Sequence, residues 1–479
     1  MSVMFPKTPG FSGVNKPMRM EIDLFELEYE GEIPEAVSGA MYRCGPDPQL
    51  PPRMADDIFI NGDGQVSGFF FEDGHVDFRL RYVRTEKFQL ERGARTALFG
   101  AYRNPYTDSP EVAGKDRTTA NTALMWNAGR LYALKEDGHP YEVHPITLET
   151  LGRNDFGGDL KSKTFTAHVK YDPATHDVVY HGYAAAGEAT NAIAYGTISP
   201  DGEVQSEQWF EAPYASMIHD FAVTENYILF PIMPAVSDPE RLKSGGSHWA
   251  WDDTKHTYVG IVPRGGTPDD IRYFEGPARW SFHTLNAFEE GDKIHLDLTV
   301  AERVGFPDIP NLDGSPFDPE KGRSLLTRWT FDMAGNDAGF TETVLWDHPA
   351  DFFEMDPRFA GRPYRHGFMA AKEKDMIFNL LGHIDHQTGK TVAYHAGQGA
   401  SVQEPVFVPR GDDAPEGDGY LMAVVNHRAE NRAELVILDT KDITAGPVCR
   451  VHIPMPLRMT FHSEFVPLSE LRTAAALSA

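Results

Sequence analysis

Residues 290–301 read "EGDKIHLDLTVA". A Gly-Asp turn signal is followed by apolar residues at every second position: Ile294, Leu296, Leu298 and Val300. Alternation with period two marks a strand with one face toward a core, and the small polar residues before it supply the turn. The same turn-then-strand unit recurs as "DGHVDF" at 73–78, "AGRLYAL" at 128–134 and "THDVVYHG" at 175–182. Further short runs, among them "GQVSGFFFEDGHVDFRLRYVRTEKFQL" (64–90), "TRWTFDMAG" (327–335) and "AELVILDT" (433–440), are bounded by Gly, Asp, Asn or Pro. Many short, evenly spaced strands indicate an all-β sandwich, barrel or propeller. The recurring unit favours a propeller. Pattern alone leaves a sandwich or a two-domain β protein open. Helical periodicity is scarce: one turn at "SDPERLKSG" (237–245) and a terminal helix at "LSELRTAAALSA" (468–479) are expected.

The chain has 479 residues and a net charge of -27. Length suggests two or three domains, but large all-β folds exceed the usual domain size. The negative charge argues against nucleic acid, whose phosphates it repels, and against a polybasic membrane anchor. The first residues carry no apolar run long enough for a signal peptide. The best apolar stretch, "NYILFPIMPAV" (226–236), is short and holds two prolines, so no membrane-spanning helix is expected. Cys44 and Cys449 are the only cysteines, which excludes a disulfide framework or a thiolate cluster. A reducing cytoplasm fits.

Four strand-like stretches carry a histidine: "TFTAHVKYDP" (His168), "SMIHDFAVTENYILF" (His219), "WSFHTLNAFEEGDKIHLDL" (His283) and "MTFHSEFVP" (His462). A single strand histidine is more often a hydrogen-bonded core residue than a metal ligand. The chain holds 19 histidines, so a choice of four needs a reason. His176, His181, His256 and His386 sit in polar or turn-like contexts and read as surface residues. No HExxH occurs, which excludes a helix-borne zinc protease site. Ligands far apart in sequence are what an axial site in a propeller requires, one from each of several innermost strands. Four imidazoles leave a metal its full charge and, in an octahedral shell, two open positions, which suits Fe(II) oxygen chemistry. A structural zinc more often recruits cysteine, and a catalytic zinc usually has three protein ligands.

Nearly end to end, the chain resembles the carotenoid cleavage oxygenases. The motifs are "GEIPEAVSGAMYRCGPDPQ", "FINGDGQVSGFFFEDG", "RTTANTALMWNAGRLYALKEDGHPYEV", "FTAHVKYDP", "MIHDFAVTENYILF", "FHTLNAFEEGD", "EPVFVPR", "EGDGYLMAVV" and "FHSEFVP". The resemblance implies a seven-bladed β-propeller spanning residues 1–479 as one dioxygenase domain, with loops and short helices capping the active-site face. It implies Fe(II) held by His168, His219, His283 and His462. Ser463 stands where many members have glycine. It further implies that Glu136, Glu354 and Glu404 accept hydrogen bonds from ligand imidazoles, since a metal-bound ring must aim its other N–H at an acceptor. Thr122 matches a threonine whose methyl group lies near an open iron position.

Carotenoid-cleaving members often read "ALWEGGLPYEL", where this chain reads "ALKEDGHPYEV". Lys135 so placed suits a substrate with an acidic hydroxyl, because a lysine facing an apolar tunnel is costly unless paired. Tyr102 in "LFGAYRNPYTD" matches the stilbene-cleaving branch, in which Tyr and Lys hold a phenol 4-hydroxyl. Phe59 in "DDIFINGDG" matches an aromatic that packs on the substrate ring. The expected reaction cleaves the central double bond of a 4-hydroxystilbene (a lignin-derived lignostilbene) with O2 into two aromatic aldehydes such as vanillin. Isoeugenol-type or resveratrol-type cleavage is the alternative, because those branches share this environment. Apocarotenoid cleavage and a non-oxygenase relative are further readings. Stilbene-cleaving members are often dimers, so a homodimer is an expected state. Lys135 and Glu136 are neighbours, which face opposite ways on a regular strand. Both serve one site only if the strand ends or bulges there.

Overall fold

The computed structural model describes residues 4–373 and 377–478. Its antiparallel sheets follow one another in chain order around a ring of seven blades. The first begins with Ala123–Asn127 and continues through Arg130–Leu134, Tyr141–Val143 and Thr150–Arg153. The second and third begin with the short inner strands Lys170–Tyr171 and Ala222–Val223. Thr284–Glu290 opens the fourth. The fourth and fifth share Thr341–Met355, whose first half pairs with Leu325–Asp332 and whose second half pairs with His366–Ala371. The sixth is built on Val406–Pro409, Gly419–His427, Arg432–Asp439 and Pro447–Ile453. The opening stretch 290–301 supplies the strand Lys293–Val300 of the fourth blade, nearly all of it buried.

The seventh blade joins the two ends of the chain. His462–Pro467 lies antiparallel to Gly39–Pro46, with Cys44 opposite His462. Next come Gly64–Glu72, His75–Tyr82 and Ile22–Leu24. Blades pack face to face, so central strands such as Gly39–Pro46 and Val178–Tyr183 are buried on both sides. Apolar residues at successive positions therefore carry as much of the core as strict alternation does. Trp251, Trp280 and Trp329 are fully buried in one apolar cluster.

α-Helices are few, and one differs from the sequence reading. The alternating run 64–90 ends as strand at Tyr82, and Glu86–Ala94 is an α-helix. Thr85 caps it by accepting from the Phe88 N–H, which satisfies one of the free donors of the first turn. That local cap outweighs the strand-like pattern. The expected terminal helix runs Leu468–Ser478, and the expected single turn is Pro239–Lys243, capped by Asp238. Among the described residues, no helix is long and apolar enough to cross a membrane. Cys44 and Cys449 are both free and buried.

Candidate metal centre and active site

Residues from all seven blades converge at the start of the innermost strands. Thr122 precedes Ala123–Asn127, and His168 stands two residues before Lys170–Tyr171. His219 precedes Ala222–Val223, and His283 precedes Thr284–Glu290. Asp351 lies in the second half of Thr341–Met355, Glu404 precedes Val406–Pro409, and His462 begins His462–Pro467. One position of the repeat thus equips the axis with polar groups.

The ligand atoms of His168, His219, His283 and His462 all lie within 4.8 Å of one another. His168 Nε2 approaches His219 Nε2 at 3.0 Å, and His219 Nε2 approaches His283 Nε2 at 3.2 Å. The Nδ1 atoms of His219 and His283 both face carboxylates. A neutral ring that donates from Nδ1 carries a lone pair on Nε2. The short His219–His283 approach is therefore two acceptors face to face, which a shared cation reconciles. Burial, followed by the neighbouring imidazoles, holds His168 and His462 well below the usual histidine range, so both rings are neutral donors of lone pairs. The residues fit a metal held by four imidazoles.

Three carboxylates orient three of the rings. Glu136 pairs with His219 Nδ1. Burial, the largest single influence, pushes its carboxyl up, but the charge and hydrogen bond of His219 together with the charge of Arg103 outweigh it, and the net shift is downward. Glu404 Oε1 accepts from His462 Nδ1 at 2.8 Å, while its Oε2 accepts from the Ser463 backbone N–H at 2.5 Å. Only backbone of Ser463 is used in that bond, so serine serves where glycine is more usual. The third partner differs from expectation. His283 Nδ1 meets Asp351 Oδ1 at 2.6 Å, not Glu354. Glu354 accepts from its own neighbour, the Met355 N–H, at 3.1 Å. The cause is a bulge between Asp351 and Phe353, with Phe352 at φ 53°. A bulge re-aims the side chains beside it, and here it delivers Asp351 to the imidazole.

On one side of the histidines lies a cavity of about 1410 Å³. Phe59, Tyr102, Thr122, Glu136 and Phe282 line it together with His219, His283 and His462. Phe59 sits on the short 3-10 turn Phe59–Asn61, its ring centroid 6.0 Å from that of Phe461. Thr122 gives its hydroxyl to Asn121 at 3.1 Å. The strand Arg130–Leu134 ends just before Lys135, which lets both Lys135 and Glu136 turn inward. Lys135 does not line the cavity wall directly. Its Nζ stands 5.2 Å from the Tyr102 ring centroid, donates to Thr119 Oγ1 at 2.8 Å and lies 3.4 Å from Asp137. Burial lowers the pKa of Lys135 below the ordinary lysine value, against the pull of Asp137 and Glu136. Burial, then the charge of Glu136, raises that of Tyr102.

Two histidines assigned to the surface are not there. His181 is fully buried and donates from Nε2 to the Ile218 carbonyl at 2.8 Å, bracing the segment that carries His219. His386 is half-buried against Tyr364, with ring centroids 4.7 Å apart. His176 and His256 are exposed. Asp351 and His181 were missed because their roles depend on neighbours in other blades. The alternation in "THDVVYHG" hints that His181 shares a face with Val179.

Residues 15–467 match the family model described as RPE65: Retinal pigment epithelial membrane protein. An isoeugenol monooxygenase of Pseudomonas nitroreducens is 46% identical over 96% of this chain and 98% of its own length. Lignostilbene-alpha,beta-dioxygenase isozyme III of Sphingomonas paucimobilis is 44% identical over 98% and 99%. The crystal structure of a Pseudomonas brassicacearum lignostilbene dioxygenase superposes with a TM-score of 0.95 at 43% identity, covering 97% of this chain and 100% of that one.

Proposed function

This chain belongs to the RPE65/carotenoid cleavage oxygenase family, and on that premise we propose that it is an Fe(II)-dependent dioxygenase of 4-hydroxystilbenes. The products are two aromatic aldehydes, vanillin when the ring carries a 3-methoxy group. One O2 and one double bond give two carbonyls, with one oxygen atom in each. The observation that carries this reading is the Tyr102–Lys135 pair standing in and behind the wall of the cavity that His219, His283 and His462 also line.

Iron held by His168, His219, His283 and His462 supplies the activation of O2. The protein's residues do the rest. Glu136, Asp351 and Glu404 keep three imidazoles in the tautomer that leaves Nε2 free. Tyr102 meets the substrate's 4-hydroxyl from the cavity wall, and Lys135 brings a positive charge to the same end. A cation beside a phenol favours the phenolate. Its electron density passes through the ring into the double bond and makes that bond a better partner for oxygen. Phe59 packs on the ring, and Thr122, its hydroxyl held by Asn121, would narrow the cavity beside the histidines that would hold the metal. Isoeugenol-type cleavage is a second reading, favoured by the 46% identity to an isoeugenol enzyme. Residues 1–479 act as one domain in this proposal, and the two buried free thiols suit a reducing cytoplasm.

The test is product analysis after reconstitution with Fe(II), using a 4-hydroxystilbene, isoeugenol and a carotenoid in parallel. Two aldehydes per stilbene with one O2 consumed is the expected result. Aldehyde from the carotenoid and none from the stilbene would overturn it.

A further inference from the structure

We propose that Lys170, Asp220 and Thr284 form a positioning clamp that sets how three of the four imidazoles meet. The clamp rests on the four-histidine metal site proposed above. Each member stands beside one histidine: Lys170 two residues after His168, Asp220 next after His219, and Thr284 next after His283. All three line a second cavity, of about 230 Å³, which also touches His168, His283 and His462. None of the three lines the large cavity.

The contacts are dense and directional. Lys170 Nζ lies 2.8 Å from Asp220 Oδ1 and donates to Thr284 Oγ1 at 3.2 Å. Asp220 Oδ2 accepts from both the backbone N–H and the hydroxyl of Thr284, each at 2.8 Å. Asp220 Oδ1 also accepts from the Phe221 N–H at 2.8 Å. The Asp220 side chain is 2% exposed, so these bonds meet little competition from water.

The reason for such a ring lies in the fold. The inner strands Lys170–Tyr171, Ala222–Val223 and Thr284–Glu290 belong to three separate sheets. No backbone ladder runs from one to the next, so hydrogen bonding within the sheets leaves their relative heights on the axis free. Lys170, Asp220 and Thr284 join the three strands directly, within two residues of the donors. His168 needs this most. His219, His283 and His462 each have a carboxylate on Nδ1, whereas the His168 ring has none among the described residues. An ion pair between a half-buried lysine and a buried aspartate is weak evidence for added stability, because desolvation offsets much of the attraction. Geometry is the better account of its presence beside a metal site.

The experiment compares the parent protein, Thr284→Val, Thr284→Ser and Asp220→Asn, each stripped of metal and titrated with Co(II) under chelator competition. Thr284→Val removes one hydroxyl at nearly constant volume and keeps the backbone donor. It is expected to weaken Co(II) binding about tenfold or more, the usual effect of removing a group that orients ligands. It is also expected to shift the visible ligand-field spectrum of the bound Co(II). Thr284→Ser restores the hydroxyl and is expected to restore both readouts. Asp220→Asn is expected to resemble Thr284→Val. Parent-like affinity and spectrum in Thr284→Val and Asp220→Asn, even with a lowered Tm, would overturn the clamp while leaving the four-histidine site intact. A parent protein that takes up no Co(II) overturns the metal site, and the clamp with it.

Discussion

Asp351 Oδ1 sits 2.6 Å from His283 Nδ1, although three residues further on Glu354 occupies the position at which a glutamate was expected to serve. The two side chains lie on either side of a bulge at Phe352. Only the nearer one reaches the imidazole.

Asp351→Asn is therefore expected to weaken iron binding about 10–100-fold, and Glu354→Gln to have a much smaller effect. Iron content after dialysis against a chelator measures both. Glu136→Gln and Glu404→Gln belong with Asp351→Asn. A larger loss in Glu354→Gln than in Asp351→Asn would return the role to the glutamate.

Replacing His168, His219, His283 or His462 with Ala is expected to abolish iron binding or turnover while the β-sheet circular dichroism is kept. Metal analysis at one iron per chain in the parent is the reference. Normal iron and normal activity in His283→Ala would remove that residue from the ligand set.

Lys135→Met is expected to lower kcat about a hundredfold, roughly 3 kcal/mol of transition-state stabilisation, and to change KM less. Charge donation from the phenolate matters most in the transition state. Tyr102→Phe is expected to lose less. A 4-methoxystilbene is expected to react slowly with the parent, with little further loss from Lys135→Met. Equal slowing of both substrates by that change would make Lys135 a structural residue.

Burial pushes His386 down to about 4, from an ordinary value of 6.5. The unfolded chain takes up a proton below pH 6.5, and the native ring resists until about pH 4. Stability is thus lost as pH falls through that window, by a few kcal/mol at most, roughly 3 for a shift of this size. Urea unfolding of the parent is expected to show a steeper decline between pH 6.5 and 4 than that of His386→Phe. Parallel curves would mean that the native ring protonates as easily as the unfolded one.

Local signals explain which features were legible in the chain. The turn-then-strand unit at 290–301 depends on residues adjacent in sequence, so the strand Lys293–Val300 can be read directly. His168, His219, His283 and His462 stand out through their motifs, and the structure brings all four together. Glu136 and Glu404 also sit in distinctive motifs. Asp351 could not be read because a bulge breaks the period-two rule that aims side chains. The helix Glu86–Ala94 was hidden because Phe88 and Leu90 continue the alternation of the strand before it, while the deciding feature is a single cap at Thr85. His181 looked like a turn residue, yet its hydrogen bond to Ile218 crosses between blades. The Lys170–Asp220–Thr284 ring is likewise invisible along the chain. Its members belong to separate sheets and meet only once the propeller has closed.

The strand His462–Pro467, seated against Gly39–Pro46, gives the last ligand a place in time as well as in space. During synthesis His168, His219 and His283 leave the ribosome long before His462 does. A nascent chain offers at most three of the four imidazoles, and the fourth joins them when the C-terminal strand docks on the N-terminal one. Completion of the four-histidine cluster is thus tied to synthesis of the strand His462–Pro467. A chain cut short before that strand lacks both the latch and the fourth imidazole, so a prematurely terminated product is barred from assembling the full four-histidine cluster.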